Sequence, residues 1–382
     1  MIISKILRSY KNKITNKING VVHMPAQGKK KGSVLLSYIT EPFTKLPWQS
    51  LSNRHTNYWE CLEIARLFSA RGYAVDVINW DNSKFIPKKK YAVCVDVQNN
   101  LERLSKYLPK ECKKVAHIVS SAASFQNTAE KTRLQELKKR RGVELITQRQ
   151  VGISNNVHVA NFLEGFGNKT VWASYGNLDK PIFPIPISSV KIFDFPENIN
   201  FEAASKNFLW LGGGGAVLKG LDLVLEAFAQ NPDLTLHICG PVQAEKDFCQ
   251  AYNKELFETA NIHLHGRIDV TSDLFKELSL TCGALIYPAF SEGTSGAVVQ
   301  AMQAGIVPII TPQTGIYEEA PAIIITEPTV ESVTKAVKDF SLLSPERIET
   351  VSRNVWKYAQ AHYTREEFSK AYGHFIDDIL KI

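Results

Sequence analysis

The chain has 382 residues, of which 44% are hydrophobic and 10% aromatic, enough for a substantial core and too many for a mainly disordered protein. No run of about 18 uninterrupted apolar residues occurs, which excludes a membrane-spanning helix. The net charge of +7 is confined to residues 1–31, which hold eight basic residues and no acid and leave 37 basic against 38 acidic residues elsewhere.

At about 150 residues per domain, the length predicts two domains. Residues 1–31 read as a basic arm. Ile2, Ile3, Ile6, Leu7, Tyr10, Ile14 and Ile18 recur at helix-like spacing among lysines, compatible with an amphipathic helix on an anionic membrane surface or with a solvated tail. Because the body is near neutral, nucleic acid is not an expected partner. The apolar residues of the arm are interleaved with lysines, unlike a cleavable signal, so a cytoplasmic location is expected. The six cysteines show no Cys-x-x-Cys pair and no zinc-like spacing with histidine. They are expected to be buried reduced thiols, and no metal site is expected.

Ordered structure is expected from Ser33. The apolar run Ser33–Ile39 predicts a buried strand. Residues Asn57–Ser69 carry helical periodicity after an N-cap at Thr56, and Tyr73–Trp80 predicts the next strand. Strand, helix and strand within fifty residues form a βαβ unit of a parallel sheet. Further buried strands are predicted at Tyr91–Val97 and Lys114–Val119. On the basic helix that follows, Glu130, Arg133, Arg140 and Arg141 read as a solvated face, with an acceptor-phosphate role as the alternative. The stretch Lys180–Ser188 holds three prolines, which favour extended backbone, and an interdomain connection is predicted near it.

A second alternation starts at Phe208. Strands are predicted at Phe208–Leu211, Leu234–Cys239, Ile262–Leu264, Ala284–Tyr287 and Val307–Ile310. Helices are predicted at Leu221–Gln230, Asp247–Thr259, Ser272–Ser279 and Ser295–Ala304. Two successive alternating halves predict an α/β protein of two Rossmann-like domains with parallel sheets facing across a cleft. The predicted division is 1–31 for the arm, 32–187 for the first domain and 188–356 for the second. The last helix, about 357–382, completes the first domain.

Ligands of open parallel sheets bind beyond the carboxyl ends of the strands. Three loops there carry suggestive chemistry. Gly212–Gly215 follows a strand, and Lys219–Gly220 opens a helix, so backbone amides, a helix N-terminus and an ammonium converge on one place. That combination suits an anion, most naturally a diphosphate. The run is neither a Walker A loop nor a GxGxxG fingerprint. The loop Ser291–Gly296 brings Glu292 and further free amides to another strand end. Gln300 lies eight residues on, about 12 Å along a helix, a span that suits two ends of an elongated ligand. In the first half, Arg54 and His55 stand at the start of the first helix, and His117 ends a strand. Its imidazole is a candidate general base or hydrogen-bond donor.

The stretches LWLGGGGAVLKGLDLVLEAF and CGALIYPAFSEGTSGAVVQAMQAGIVPIITPQTGI resemble the nucleotide-sugar-binding domain of GT-B glycosyltransferases of family 4 over about residues 205–320. The resemblance implies a GT-B fold and transfer of a hexosyl group from a nucleotide diphosphate sugar, with retention of configuration, to a glycan or lipid-linked acceptor in surface polysaccharide or lipopolysaccharide synthesis. It implies that the nucleotide sugar is a co-substrate and that no cofactor is needed. Lys219 would neutralise the diphosphate, Glu292 would hold the donor sugar, and His117 would lie near it. Gly213, Gly214, Gly215, Gly293, Thr294, Ser295 and Gly296 would cradle sugar and phosphate, and Gln300 would meet the ribose. No Asp-x-Asp motif for a divalent metal is present, which fits GT-B chemistry and predicts metal independence. Two departures stand out. Gln300 replaces a glutamate of the family, and Gly214 replaces an arginine that pairs with the lysine on the phosphates. Arg54, in the facing domain, is the candidate substitute for that arginine, and His55 the candidate for the acceptor side. The departures keep open a catalytically impaired nucleotide-binding pseudoenzyme. A GT-B nucleotide-sugar epimerase is a further alternative.

Overall fold

A computed structural model of the chain describes residues 20–45, 53 and 55–381. The membrane-binding helix expected within residues 1–19 and the proposed role of Arg54 lie outside the described residues. No helix among the described residues is long and apolar enough to cross a membrane.

Two mostly parallel sheets carry the chain. The first runs in the order β1-β3-β2-β4-β5-β6-β7, built from Val21–Met24, Gly32–Tyr38, Tyr73–Asn79, Val93–Asp96, Lys113–Ile118, Phe162–Gly165 and Ile182–Pro184 as β1 to β7. The second runs β10-β9-β8-β11-β12-β13, from Asn207–Leu211 (β8), Thr235–Cys239 (β9), Ile262–Gly266 (β10), Ala284–Tyr287 (β11), Val307–Ile310 (β12) and Ile323–Ile324 (β13). Central strands such as Val93–Asp96 and Ala284–Tyr287 are buried along their whole length, as expected of parallel strands covered on both faces. Six helices frame the junction between the sheets. They are Asn57–Ala70 (α1), Ala123–Arg141 (α2), Leu221–Ala229 (α3), Gly296–Gln303 (α4), Pro345–His362 (α5) and Arg365–Lys381 (α6).

Three expectations need correction. Order begins before Ser33, because Val21–Met24 pairs antiparallel with β3 as an edge strand and lies inside the predicted arm. Its alternating burial is too short to stand out among lysines. The proline-rich stretch also adds a strand, since Ile182–Pro184 extends the first sheet by pairing with Leu163–Gly165. An edge strand tolerates proline, which has no amide to donate. The predicted helix Asp247–Thr259 is two short helices, Lys246–Ala251 and Asn253–Phe257, broken at Tyr252. Finally, the return to the first domain falls after His362 rather than near residue 357. α5 packs on α4 and β12 of the second domain, whereas α6 packs on α1. Arg71 ties α6 down through paired bonds to Asp377 at 2.6 and 2.8 Å.

The edge of the second sheet holds three histidines on adjacent strands. His237 Nδ1 lies 3.0 Å from His265 Nε2, and the His263 ring stands 5.2 Å away. Burial, then the charges of His265 and His263, push His237 down to about 4 from its ordinary 6.5. His265 is lowered as well, with Glu277 opposing. A histidine depressed in the folded state binds fewer protons there than when unfolded. Stability is therefore full above about pH 6.5 and declines as pH falls toward about 4. His237→Phe is expected to shrink the stability lost over that window by about 1 kcal/mol, allowing for solvent screening. Urea unfolding of both proteins at pH 7 and pH 5 checks this, and equal losses would rule it out.

Candidate active site

The carboxyl ends of the strands of both sheets meet. From the first domain come the ends of β5 and β6, residues 119–122 and Gly165–Asn168. From the second come Gly212–Gly215 after β8, the loop 288–295 after β11, and Thr311–Gly315 after β12. The two sides are bonded directly. Ser121 donates to the Glu292 carbonyl from its amide at 2.9 Å and from its hydroxyl at 2.7 Å. The Gly167 amide donates to Thr294 Oγ1 at 2.9 Å, and Asn168 Nδ2 reaches the carbonyls of Pro312 and Ile316 at 2.9 Å each. The approach is close enough to require glycine at 293, where a Cβ would lie 2.1 Å from the Val119 carbonyl oxygen.

Lys219 and Glu292 meet in this junction. Lys219 Nζ is ion-paired with Glu292 and donates to Tyr287 Oη at 3.0 Å, while the Tyr287 hydroxyl donates to Glu292 Oε1 at 2.7 Å. Burial pushes the Glu292 carboxyl up, but Lys219 and the hydrogen bonds from Lys219 and Tyr287 outweigh it and hold the group below the usual carboxylate range. Burial and the Glu292 charge push the Tyr287 phenol well up, so it stays a donor. Beside them α4 begins without a side-chain cap. The Ser295 amide is used by the Thr314 carbonyl, whereas those of Gly296, Ala297 and Val298 donate to no group among the described residues. Three free amides, a helix N-terminus and an ammonium in one place form a site for an anion.

Other expected site residues stand differently. The amides of Gly215 and Ala216 are occupied by the buried carboxylate of Glu245, at 2.6 Å for the first bond. Gly213 and Gly214 are left as the open part of that run. Gln300 is buried, and its amide clamps the interdomain connection. Oε1 accepts from Val190 and Lys191 at 3.2 and 3.1 Å, and Nε2 donates to the Lys191 carbonyl at 2.8 Å. Thr294 also binds the Gly315 carbonyl through its hydroxyl at 3.1 Å. His55 is exposed at the rim. Protein crowding its ring lowers its pKa, with Glu292 opposing and Lys219 and Arg149 reinforcing.

His117 lies behind the junction, with its side chain 1% exposed. Nδ1 contacts both oxygens of Glu164 at 2.9 and 2.7 Å, and Tyr372 of α6 donates to the same carboxylate at 3.0 Å. A carboxylate only accepts, so Nδ1 carries a proton and donates to it. Nε2 is buried and has no partner among the described residues. The aromatic rings of Tyr38, Phe166 and Tyr372 surround it edge-on.

Arg133 and Arg140 do not form a solvated face, and their tips are committed to protein carboxylates. Both donate to Asp222 Oδ2 on α3, at 2.7 and 2.6 Å, and Arg141 pairs with Glu255 at 2.6 Å. They bolt α2 of the first domain to the second. Glu130 turns inward as well, and accepts the amides of Gln148 and Arg149 at 2.6 and 2.8 Å. Sequence reasoning passed over Tyr287, Glu164 and Arg149. The first two sat inside apolar strands, and the third in a stretch with no periodicity.

Comparison with known proteins fits this geometry. Residues 198–354 match the family model of glycosyl transferases group 1. No curated protein matches the chain in sequence. Among solved structures, that of WaaG, a glycosyltransferase involved in lipopolysaccharide biosynthesis, is 18% identical with a TM-score of 0.51, covering 89% of this chain and 98% of WaaG. A trehalose-6-phosphate synthase, studied for glycosyl transfer with retention, is 10% identical with a TM-score of 0.57, covering 92% of this chain and 99% of that one. TarM of S. aureus, solved with UDP, is 12% identical with a TM-score of 0.51 over 73% of this chain, which spans about half (54%) of TarM. The chain thus has the GT-B fold, and residues 198–354, in its second domain, match the glycosyl transferases group 1 model.

Proposed function

We propose that the protein transfers a hexosyl group from a nucleoside diphosphate sugar to a glycan or lipid-linked acceptor, with retention of configuration and without a metal. The observation that carries this reading is the convergence of Lys219, Glu292 and the three free amides opening α4 at the junction of the two domains. In the reaction the bond between the anomeric carbon and the phosphate oxygen breaks, and its electron pair stays on the diphosphate. The acceptor oxygen takes that place on carbon and passes its proton to the departing phosphate oxygen. Negative charge grows on the departing phosphate, where Lys219 and the α4 amides stabilise it. Glu292, once its lysine turns to phosphate, is free to accept from sugar hydroxyls. His117, held by Glu164, is proposed as the hydrogen-bonding group on the first-domain side, and His55 as an acceptor-side group.

The pathway proposed is surface polysaccharide synthesis at the inner membrane face, in the cytoplasm, with the basic segment that precedes β1 as the surface anchor. WaaG's involvement in lipopolysaccharide biosynthesis and the basic composition of the arm support this. A second reading, nucleotide binding without turnover, is favoured by the engagement of Gln300 with the connection and of Glu245 with the Gly215 and Ala216 amides. Calorimetric titration with UDP, GDP, ADP, CMP and dTDP tests the donor site. One diphosphate is expected to bind selectively. Failure of all five on folded protein would overturn the reading.

A further inference from the structure

Arg149 lies in the irregular segment between α2 and β6, on the first-domain side. Its backbone is held with unusual care by three side chains of one helix. Glu130, 2% exposed, accepts the amides of Gln148 and Arg149, and its second oxygen accepts from Gln150 Nε2 at 2.8 Å. Gln126 donates to the Arg149 carbonyl at 2.6 Å, and Asn127 both donates to and accepts from Val151 at 2.9 Å. Burying these polar groups is costly unless they are fully used, and here they fix one short stretch of chain.

The side chain so fixed makes no ion pair among the described residues and is exposed. Its stem crosses to the second domain and lies on the glycine run. A Cβ at Gly215 would come within 2.5 Å of Arg149 Cγ, and Gly215 has φ +91°, so no side chain is accommodated there on either count. The guanidinium charge acts on Glu292, Tyr287 and His55, all members of the candidate site.

We propose that Arg149 is a phosphate ligand of the donor site, delivered from the opposite domain to work with Lys219 on the leaving diphosphate. The glycine at 215 leaves room for its stem. Arg149 rather than Arg54 then fills the role left open by Gly214. The anion site is complete only when both domains are together, and the buried carboxylate of Glu130 is a positioning group for the arginine. The inference rests on the reading of Lys219 and α4 as a nucleoside diphosphate site.

Titration with UDP and UMP, or the corresponding pair for whichever base is preferred, separates the two ideas. Arg149→Gln is expected to weaken diphosphate binding at least tenfold and leave monophosphate binding within twofold. Arg149→Lys is expected to recover most of the loss. Glu130→Gln should weaken diphosphate binding by a smaller factor, with the unfolding midpoint recorded for each variant. Wild-type diphosphate binding with an unchanged Arg149→Gln would overturn the role of the arginine alone, as would equal losses for both nucleotides. Absence of diphosphate binding in the wild type would instead remove the donor-site reading, and the arginine with it.

Discussion

Lys219→Ala is expected to lower the transfer rate about 10²–10³-fold and to weaken nucleoside diphosphate binding at least tenfold. Lys219 is 7% exposed and is neutralised by Glu292, so an arriving diphosphate exchanges one anion for another rather than meeting a bare charge. The exchange still favours catalysis, because charge on the departing oxygen grows as the reaction proceeds while that on Glu292 does not. Without the lysine, the burial that pushes Glu292 up is no longer opposed by its main partner, and the carboxyl pKa should rise. Turnover of the preferred donor, measured as nucleotide release with acceptor present, checks the rate. A variant within threefold of wild type would show that Lys219 belongs only to the packing of the junction.

Asp222→Ala is expected to cost about 3–5 kcal/mol of stability, the range for breaking a buried ion pair by removing one partner. The side chain of Asp222 is fully buried, that of Arg133 is 4% exposed, and Phe290 stacks 4.2 Å from the Arg133 guanidinium, so Arg133 cannot readily turn to water, whereas Arg140, 28% exposed, keeps Glu226. Burial pushes the Asp222 carboxyl up despite the pull of Arg133 and Arg140. Desolvation of Asp222 therefore opposes its attraction to the arginines, and removing Asp222 together with Arg133 should be cheaper than removing Asp222 alone. Combining Asp222→Leu with Arg133→Met should recover much of the loss. Urea midpoints decide, and a loss below 1 kcal/mol for Asp222→Ala would put the bolt in the class of exposed pairs.

Much of the second domain is legible in the sequence for physical reasons. Ala284–Tyr287 and Val307–Ile310 are located to the residue, because a buried parallel strand is a short apolar run between turns. The lysine–glutamate site is legible because both residues follow such strands. The last two strands of the first sheet are not. Phe162–Gly165 carries a buried glutamate where apolar residues are sought, and its reason for being there, His117, lies 47 residues away. Arg133 and Arg140 are seven apart on one helix face, and Asp222 and Glu226 four apart on another. The complementarity is visible only once the two faces are known to meet. Arg149 has no local signal, because what distinguishes it is the glycine run in the other domain.

The closing helix has a consequence for how the protein is made. The first domain is synthesised early, yet α1 packs against α6, about 300 residues later in the chain, with Trp59 and Phe368 rings 5.7 Å apart. At roughly 5–20 residues per second, the ribosome delivers that partner about 15–60 seconds after α1 has emerged. Through this interval the apolar face of α1 lacks its cover, and Glu164 lacks the tyrosine that helps hold His117. The nascent first domain is therefore a natural client for chaperones until α6 has emerged and packed on α1.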